Sequence, residues 1–243
     1  WIGRDVFGLE DALPSGGLRH LGENQIDLMA ALDGDDASVL AEADISGYFC
    51  GDTGRWGDRA KPFRAIFQPS AIVAGPLKRA LAAARQGGET LVAAHLRRGD
   101  FGYSDHWIAP PSWYLDWLRS LWPTLKTPVL YLATDAPPLA QMFAEFAPRT
   151  AAQFGVDLPG AEFLVDHHIL QKADHLAISN STFSFTAAML NETASSFVRP
   201  DPDRRALAPF APWNAPVLLR PSEAPDPDLA GEDAIIRLLP LGR

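Results

Sequence analysis

Cysteine is almost absent from the sequence, and this scarcity excludes a fold that depends on disulfides. Cys50 is the only cysteine among the 243 residues, so no intrachain disulfide can form. Positive charge is also in short supply. The formal net charge is -9 at pH 7, which argues against a protein that binds nucleic acid through a broad basic surface. A small basic pocket that binds a single anion is compatible with this charge.

Long apolar runs and targeting signals are missing as well. No run of residues is long and apolar enough to cross a bilayer, and we find no signal peptide or lipidation motif. We therefore expect a cytoplasmic protein without a transmembrane segment, with peripheral attachment to a membrane as the alternative. The chain begins at Trp1 rather than at methionine, so a truncated N-terminal domain is a further expectation.

Apolar and aromatic residues are abundant enough for a large folded core. Hydrophobic residues make up 47% of the chain and aromatic residues 10%, values typical of globular proteins. The break Gln86-Gly87-Gly88 marks a candidate domain boundary. We predict an N-terminal, acceptor-side domain over 1–88, a second domain over 89–200, and an arm rich in proline and acidic residues over 201–243.

Strands and helices alternate regularly after residue 88. Such an alternation favours a parallel sheet with right-handed crossovers, so this part of the chain is predicted to be a Rossmann-like α/β domain. The first strand begins at Leu91, and one helix is predicted to start behind Ser112 as its cap. The other predicted strands are Val129–Ala133, Phe163–Val165, His175–Ile178 and Ser196–Val198, and the other helices are Pro138–Phe146 and Phe183–Leu190.

The stretch from Leu91 to Tyr103, LVAAHLRRGDFGY, is the first candidate site. A run suited to a buried strand changes abruptly to His95, Arg97, Arg98 and Asp100, with Gly99 giving the backbone freedom to turn. Ligands of open α/β sheets lie beyond the carboxyl ends of strands, where adjacent arginines can bind a phosphate through forked hydrogen bonds. Taken alone, an arginine pair more often forms ion pairs with surface carboxylates.

The run Ile178–Leu190, ISNSTFSFTAAML, is the second candidate site. It places hydroxyl groups and an amide at a strand-to-helix junction, where free backbone N–H groups and the helix dipole favour an anion. The alternative is that Ser179, Ser181 or Thr182 simply caps the helix. Neither a Walker loop nor a G-x-G-x-x-G fingerprint is present, which weakens the usual mononucleotide and NAD interpretations.

Three further motifs have simpler interpretations. The integrin tripeptide Arg98-Gly99-Asp100 follows a core strand, so a role in cell adhesion is not favoured. The adjacent His167-His168, with Asp166, Asp174 and His175, matches no standard zinc spacing. Asn191-Glu192-Thr193 fits the glycosylation pattern, but without a secretion signal we assign it no role.

The two candidate sites together resemble a known family. His95-Leu96-Arg97-Arg98-Gly99-Asp100 resembles the H-x-R-R-x-D motif of the α-1,2-fucosyltransferases (glycosyltransferase family 11) and their α-1,6 and protein-O relatives. Ile178–Ser184, followed by Ala187-Ala188, is similar to the second α-1,2 signature. Shorter matches at Gly47-Tyr48-Phe49 and Ala133-Thr134-Asp135 occur in the expected order, so the resemblance extends over about residues 45–200.

This resemblance implies a GT-B fold, in which two Rossmann-like domains face a cleft and the C-terminal one binds GDP-fucose. It implies an inverting transfer of L-fucose to a glycan hydroxyl, most simply in α-1,2 linkage to galactose, without a metal or another cofactor. Arg97 and Asp100 would take part in catalysis, Asp100 either by aligning the acceptor or by fixing the arginines. The implied donor-binding residues are His95, Arg97, Arg98, Asp166, Ser181 and Thr182, with Asp166 accepting hydrogen bonds from guanine.

The sequence departs from the family pattern near its N-terminus and at Phe185-Thr186, where the family tends to have bulkier aromatic residues. The glycine-rich G-G-L-G-N-Q segment that opens the family's sequences cannot be placed, since Gly16-Gly17-Leu18 and its neighbours have the wrong spacing. Two alternatives therefore stay open: a module that binds a GDP-sugar or a glycan without turnover, and a Rossmann-like enzyme of another class. The acceptor glycan and the oligomeric state are not predicted.

Overall fold

Seven strands and five α-helices form most of the regular structure in this computed structural model, which describes residues 19–22, 31, 38, 43–46, 50–102 and 106–220. The strands are β1 (Arg19–Gly22), β2 (Ala43–Ser46), β3 (Thr90–Leu96), β4 (Pro128–Thr134), β5 (His175–Ala177), β6 (Ser196–Asp201) and β7 (Ala206–Pro209). The helices are α1 (Ala60–Ile66), α2 (Ala71–Arg85), α3 (Pro111–Leu121), α4 (Phe163–Gln171) and α5 (Thr182–Leu190). The 3-10 helices cover Thr53–Arg59, Trp122–Thr124, Pro137–Phe146 and Ala151–Gln153.

The main sheet has five strands in the order β4-β3-β5-β6-β7. Strand β3 pairs in parallel with β4 on one side and with β5 on the other, β5 pairs in parallel with β6, and only β7 runs antiparallel to its neighbour. Strands β1 and β2 form a separate parallel pair. The α/β fold class with a predominantly parallel sheet, predicted from the alternation of strands and helices, is confirmed.

Helices cover both faces of this sheet, which explains why β3 reads as a continuous apolar run. Side chains alternate along a strand, so Leu91 and Ala93 join the core beneath α2, α4 and α5. Val92 and Ala94 join the core beneath α3 and the Pro137–Phe146 segment. Helix α2 precedes the predicted domain boundary at residue 88, yet four of its side chains belong to the first of these cores.

The direction of the chain connections changes at β3. The chain leaves β3 through α3 to reach β4 on one side, and after β4 it returns to β5 on the other side. The carboxyl ends of β3 and β5 therefore flank a topological switch point, the position at which open α/β sheets bind their ligands. Both candidate sites of the sequence directly follow these two strands.

One predicted strand is wrong. Phe163–Val165 forms the first turn of α4, so Asp166 lies on a helix rather than at a strand end. A three-residue apolar run does not distinguish strand from helix. The helical spacing of the buried residues Leu164, Val165, Ile169 and Leu170 decides the outcome, because it packs one stripe of α4 against the core.

The start of α3 also differs from its prediction. Ser112 is the second residue of this helix and not its cap. Pro111 occupies the first helical position, where the fixed backbone angle of proline suits a helix and its missing N–H has no partner to lose. Pro110 precedes the helix and makes no side-chain capping bond.

The remaining predicted elements agree with the structure, with small changes in their ends. The segment predicted as the helix Pro138–Phe146 is a 3-10 helix from Pro137, and the last predicted strand extends to Asp201. The described part of the predicted C-terminal arm includes β7, an edge strand of the sheet. Predictions for 1–18, for Gly47-Tyr48-Phe49 and for residues after 220 lie outside the described residues, and the domain boundaries stay predictions.

Asn191 shows how tightly the connection after α5 is held. It is 3% exposed, its Nδ2 donates to the carbonyls of Leu170 and Ala173, and its Oδ1 accepts from the amides of Thr193 and Ala194. A buried side chain with these partners is not accessible to a glycosylating enzyme, which agrees with assigning no role to the glycosylation pattern. Among the described residues, no helix combines the length and the apolar character that a membrane span requires.

Asn191→Ala is expected to lower the free energy of unfolding by about 2 to 3 kcal/mol, because it removes hydrogen bonds to two buried carbonyls and two partly buried amides. Urea denaturation followed by circular dichroism measures this change. The control is Lys78→Ala on the exposed side of α2, which should change the stability by less than about 0.5 kcal/mol. Equal stabilities of the two variants would contradict the role of Asn191.

Candidate functional site

The two arginines after β3 point into different surroundings. Arg97 keeps 36% of its side chain exposed, whereas Arg98 is 8% exposed as a residue. The loop then turns tightly, because the amide of Phe101 donates to the Arg98 carbonyl at 2.8 Å. Because Arg98 is largely buried at this edge of the sheet, the Arg98-Gly99-Asp100 tripeptide is not exposed as a whole to an adhesion receptor.

Asp135, at the end of β4, fixes the turn that carries both arginines. Its Oδ2 lies 3.2 Å from Nη1 of Arg97, and its Oδ1 accepts the backbone N–H of Arg98 at 2.8 Å. Gly99 is needed beside it, since a Cβ at that position would come within 2.6 Å of Asp135 Oδ2. Asp135 is not among the site residues predicted from the sequence, although it follows the predicted strand Val129–Ala133. Its position beyond the strand adjacent to β3 was the available signal.

Asp100 pairs with the other side of the Arg97 guanidinium. Arg97 donates to Asp100 Oδ1 from Nη2 at 2.7 Å and from Nε at 3.2 Å, and this hydrogen bonding holds the pKa of Asp100 below its ordinary value. Asp100 therefore forms an ion pair with Arg97 in the structure, and its role in catalysis stays a prediction. Two arginines and two aspartates share this loop cluster, so their formal charges cancel.

His95 connects the two candidate sites. Its Nδ1 lies 2.8 Å from Ser179 Oγ, which joins β3 to the loop after β5, and both residues are buried. Burial, reinforced by the charge of Arg97, lowers the pKa of His95 to about 3. The imidazole is thus neutral at pH 7 and offers hydrogen bonds and ring contact rather than charge. Its ring lies 5.2 Å from that of Phe183 at the start of α5.

Ser181 and Thr182 form the N-terminus of α5, as the second site predicted. Ser181 Oγ accepts the amide of Phe183 at 3.3 Å, so Ser181 caps this helix. The capping alternative is therefore confirmed for Ser181, but a hydroxyl also carries one hydrogen that it can donate to a ligand. Thr182 is the first helical residue and is exposed.

Asp166 lies apart from the strand ends, on α4. Its Oδ1 accepts a hydrogen bond from the Tyr131 hydroxyl, which extends from the middle of β4. Burial raises the pKa of Asp166 to about 6, although the Tyr131 hydrogen bond acts in the opposite direction. Burial likewise raises the pKa of the Tyr131 hydroxyl. The structure thus brings His95, Arg97, Arg98, Asp100, Ser181 and Thr182 to the carboxyl edge of the sheet and leaves Asp166 on the covering helix.

His167 is a residue that the sequence analysis did not assign to the site. Its Nε2 lies 3.1 Å from Thr186 Oγ1, its Nδ1 lies 2.7 Å from Gln171 Nε2, and its ring is 5.0 Å from Phe183. Burial lowers its pKa to about 4. His167 therefore joins α4 to α5 as a neutral group. Within the described residues, no cluster of three or more histidine, cysteine or acidic side chains is arranged to hold a metal ion.

Comparisons with known proteins returned similar solved structures only. No protein-family model matches the chain, and no curated protein sequence matches it. Crystal structures of NodZ alpha-1,6-fucosyltransferase soaked with GDP-fucose and co-crystallized with GDP are similar at 16% and 15% identity, with TM-scores of 0.42 and 0.43. Each covers 62% of this chain, which spans about half of theirs (53% and 51%). Fucosyltransferase NodZ from Bradyrhizobium matches at 15% identity, a TM-score of 0.41, and 63% and 52% coverage.

Asp166→Asn is expected to stabilise the protein at pH 7.5 by about 2 kcal/mol, because asparagine still accepts from Tyr131 but carries no charge to bury. The pKa of Asp166 is raised from 3.8 to about 6 in the folded state, so ionisation opposes folding. The contribution of the protonated Asp166 carboxyl to the free energy of unfolding is fully present below pH 3.8. It is lost as the pH rises to about 6, because Asp166 then ionises in the folded protein.

The difference in unfolding free energy between variant and wild type, measured in urea, should therefore grow from pH 4.5 to pH 7.5. Taking this difference cancels the contributions of other titrating groups, including His95 and His167. Asp58→Asn, which changes a side chain that is 75% exposed, provides the control and should show no such growth. A variant equally or less stable than wild type at pH 7.5 would refute this account of Asp166.

Proposed function

We propose that this chain binds GDP-fucose at the carboxyl ends of β3 and β5 and transfers L-fucose to a glycan hydroxyl. The observation that carries the proposal is the pairing of these two strands, which brings the H-x-R-R-x-D and S-N-S-T-F-S segments together at a switch point of the sheet. Each motif by itself has a structural explanation. Their convergence on one edge is what a nucleotide-sugar site requires.

The diphosphate would contact both loops. Arg97 and Arg98 supply two guanidinium groups, and the N-terminus of α5 supplies backbone N–H groups, the Ser181 hydroxyl and the exposed Thr182. Arg97 must first exchange Asp100 for a phosphate oxygen. The exchange is inexpensive, since the Asp100 side chain is 69% exposed and exposed ion pairs contribute only about 0 to 1 kcal/mol.

The nucleoside would extend toward α4. His95 is neutral and buried beside Ser179, so it would offer the nucleotide an uncharged ring and a hydrogen-bonding nitrogen. Asp166 has one carboxylate oxygen engaged by Tyr131, and its second oxygen would accept an N–H of guanine. This role continues the expectation from the family resemblance, now from a helix rather than a strand end.

The proposed reaction is a single displacement at the anomeric carbon of fucose. The bond between C1 and the diphosphate oxygen breaks and its electron pair leaves with GDP. An acceptor oxygen attacks C1 from the opposite face and releases its proton to solvent water. Inversion converts the β-linked donor into an α-fucoside, with the 2-hydroxyl of galactose as the proposed acceptor. The guanidinium groups would stabilise the departing diphosphate, so the proposal includes no metal ion. Asp100, once released from Arg97, is available to orient the acceptor.

Calorimetric titration with GDP and ADP in EDTA tests the donor site. We expect GDP to bind in the micromolar range, ADP to bind more weakly, and Arg97→Ala to lose about 2 kcal/mol, or roughly 30-fold, of GDP affinity. Arg119→Ala provides the control, because Arg119 forms a comparable ion pair with Glu145 on the outer side of α3. An Arg97→Ala variant that binds GDP as tightly as wild type would refute the assignment.

Asp100→Asn separates binding from catalysis. The variant removes the charge that competes with phosphate for Arg97, so GDP affinity should rise by about 2-fold to 5-fold. If Asp100 also orients the acceptor, the rate of fucosyl transfer in a GDP-release assay should fall. Reduced GDP affinity would contradict the proposed exchange. Guanine-selective binding without transfer to any acceptor in a glycan array would favour the alternative of a binding module.

A further inference from the structure

A short C-terminal segment crosses the carboxyl edge of the sheet between the two candidate loops. Residues 216–219 form this segment, the strap. We propose that the strap couples the loop after β3 to the loop after β5, with Asn180, Arg199 and Trp107 as the positioning residues. The consequence for nucleotide binding rests on the proposed function, whereas the coupling itself does not.

Asn180 holds the strap from the loop after β5. It is 2% exposed, and its Nδ2 donates to the Leu219 carbonyl at 3.0 Å. Its Oδ1 accepts the Leu219 amide at 2.8 Å, so one side chain pairs with both backbone groups of a single strap residue. Asn180 lies directly between Ser179, which contacts His95, and Ser181, which caps α5.

Arg199, on β6, binds the strap through its guanidinium group. It is 4% exposed, and its Nη1 donates to the Pro216 carbonyl at 2.6 Å. Its Nη2 donates to the Val217 carbonyl at 3.2 Å and to Asn180 Oδ1 at 3.1 Å. The guanidinium lies between the rings of Phe185 and Phe210, at 5.6 and 5.4 Å. A buried cation held in this way defines the path of the strap and the orientation of the Asn180 amide.

Trp107 reaches the strap from the loop after β3. Its indole Nε1 donates to the Leu219 carbonyl at 2.9 Å, and the residue is 4% exposed. The Leu219 carbonyl therefore accepts hydrogen bonds from both candidate loops. Displacing either loop must break one of these bonds or move Leu219 with it. Since each lost bond leaves a buried polar group unsatisfied, the two loops are expected to keep a fixed relative position.

The segment before α1 lies against the strap as well. The Val217 amide donates to the Gly51 carbonyl at 3.0 Å, and Asp52 forms an antiparallel bridge with Pro216. The strap thus also contacts residues that precede the main sheet in sequence. None of the three positioning residues belongs to the proposed donor contacts, so their removal acts on the site through the strap.

Hydrogen exchange of single amides, followed by NMR, measures the coupling without any ligand. The Phe101 amide donates to Arg98 and the Gly102 amide to His106, so both report on the loop after β3. The Ser181 and Phe183 amides report on the loop after β5. Asn180→Ala should speed exchange of Phe101 and Gly102 by about 5-fold or more, because the Leu219 carbonyl that also accepts from Trp107 then loses its bond from Asn180.

The reciprocal variant is Trp107→Phe, which removes only the indole N–H and keeps an aromatic ring. It should speed exchange of Ser181 and Phe183, and it remains informative if Asn180→Ala fails to fold. Arg85→Met is the matched control, since Arg85 donates to Asp174 and to the Lys172 carbonyl near the amino end of β5. It should leave both pairs of reporters unchanged relative to global exchange.

Accelerated exchange confined to the substituted loop in the folded variants would overturn the proposal, as would equal acceleration in Arg85→Met. Calorimetry then gives the functional consequence: GDP affinity should fall about 10-fold in Asn180→Ala at a temperature where the variant is fully folded. If the loops are coupled but wild type binds no GDP, the proposed function fails and the strap stands. If wild type binds GDP but exchange is not coupled between the two loops, the strap proposal fails and the proposed function stands.

Discussion

The parallel pairing of β3 with both β4 and β5 is the constraint on which the rest of the structure depends. It buries β3 on both faces, which requires the apolar run from Leu91 to Ala94, and it leaves the polar residues from His95 onward at the carboxyl end of the strand. The same pairing places the ends of three strands side by side. Asp135 can therefore reach the arginine loop, and Ser179 can reach His95.

Electrostatics at this edge are balanced rather than strongly positive. Arg97 lies between Asp100 and Asp135, while His95 and His167 are held neutral by burial. In a chain with a net charge of -9, such a site attracts no anion from a distance. An arriving diphosphate would have to compete for Arg97 at short range. Selectivity for the anion would then depend on the fixed geometry of the two loops, which the strap and Asp135 maintain.

Sequence reasoning was most successful where one local signal determined the outcome. The apolar runs of β3 and β4, the polar break at His95 and Arg97, and a helix cap among Ser179, Ser181 and Thr182 all follow from residues close in sequence. It failed for Phe163–Val165, because a run of three apolar residues has the same appearance in a strand and in a helix. It also missed His167 and the strap, whose contacts join residues far apart in the chain.

By itself, then, the sequence determined the α/β class, the two candidate loops and most of their polar residues, since periodicity and turn chemistry are local properties. Tertiary structure alone decided which of these residues meet. In the folded chain, Arg97 pairs with Asp135 and Asp166 accepts a hydrogen bond from Tyr131. The Leu219 carbonyl accepts hydrogen bonds from Trp107 and Asn180. The physical reason is that burial, ion pairing and strand order depend on long-range packing, which no short stretch of residues specifies.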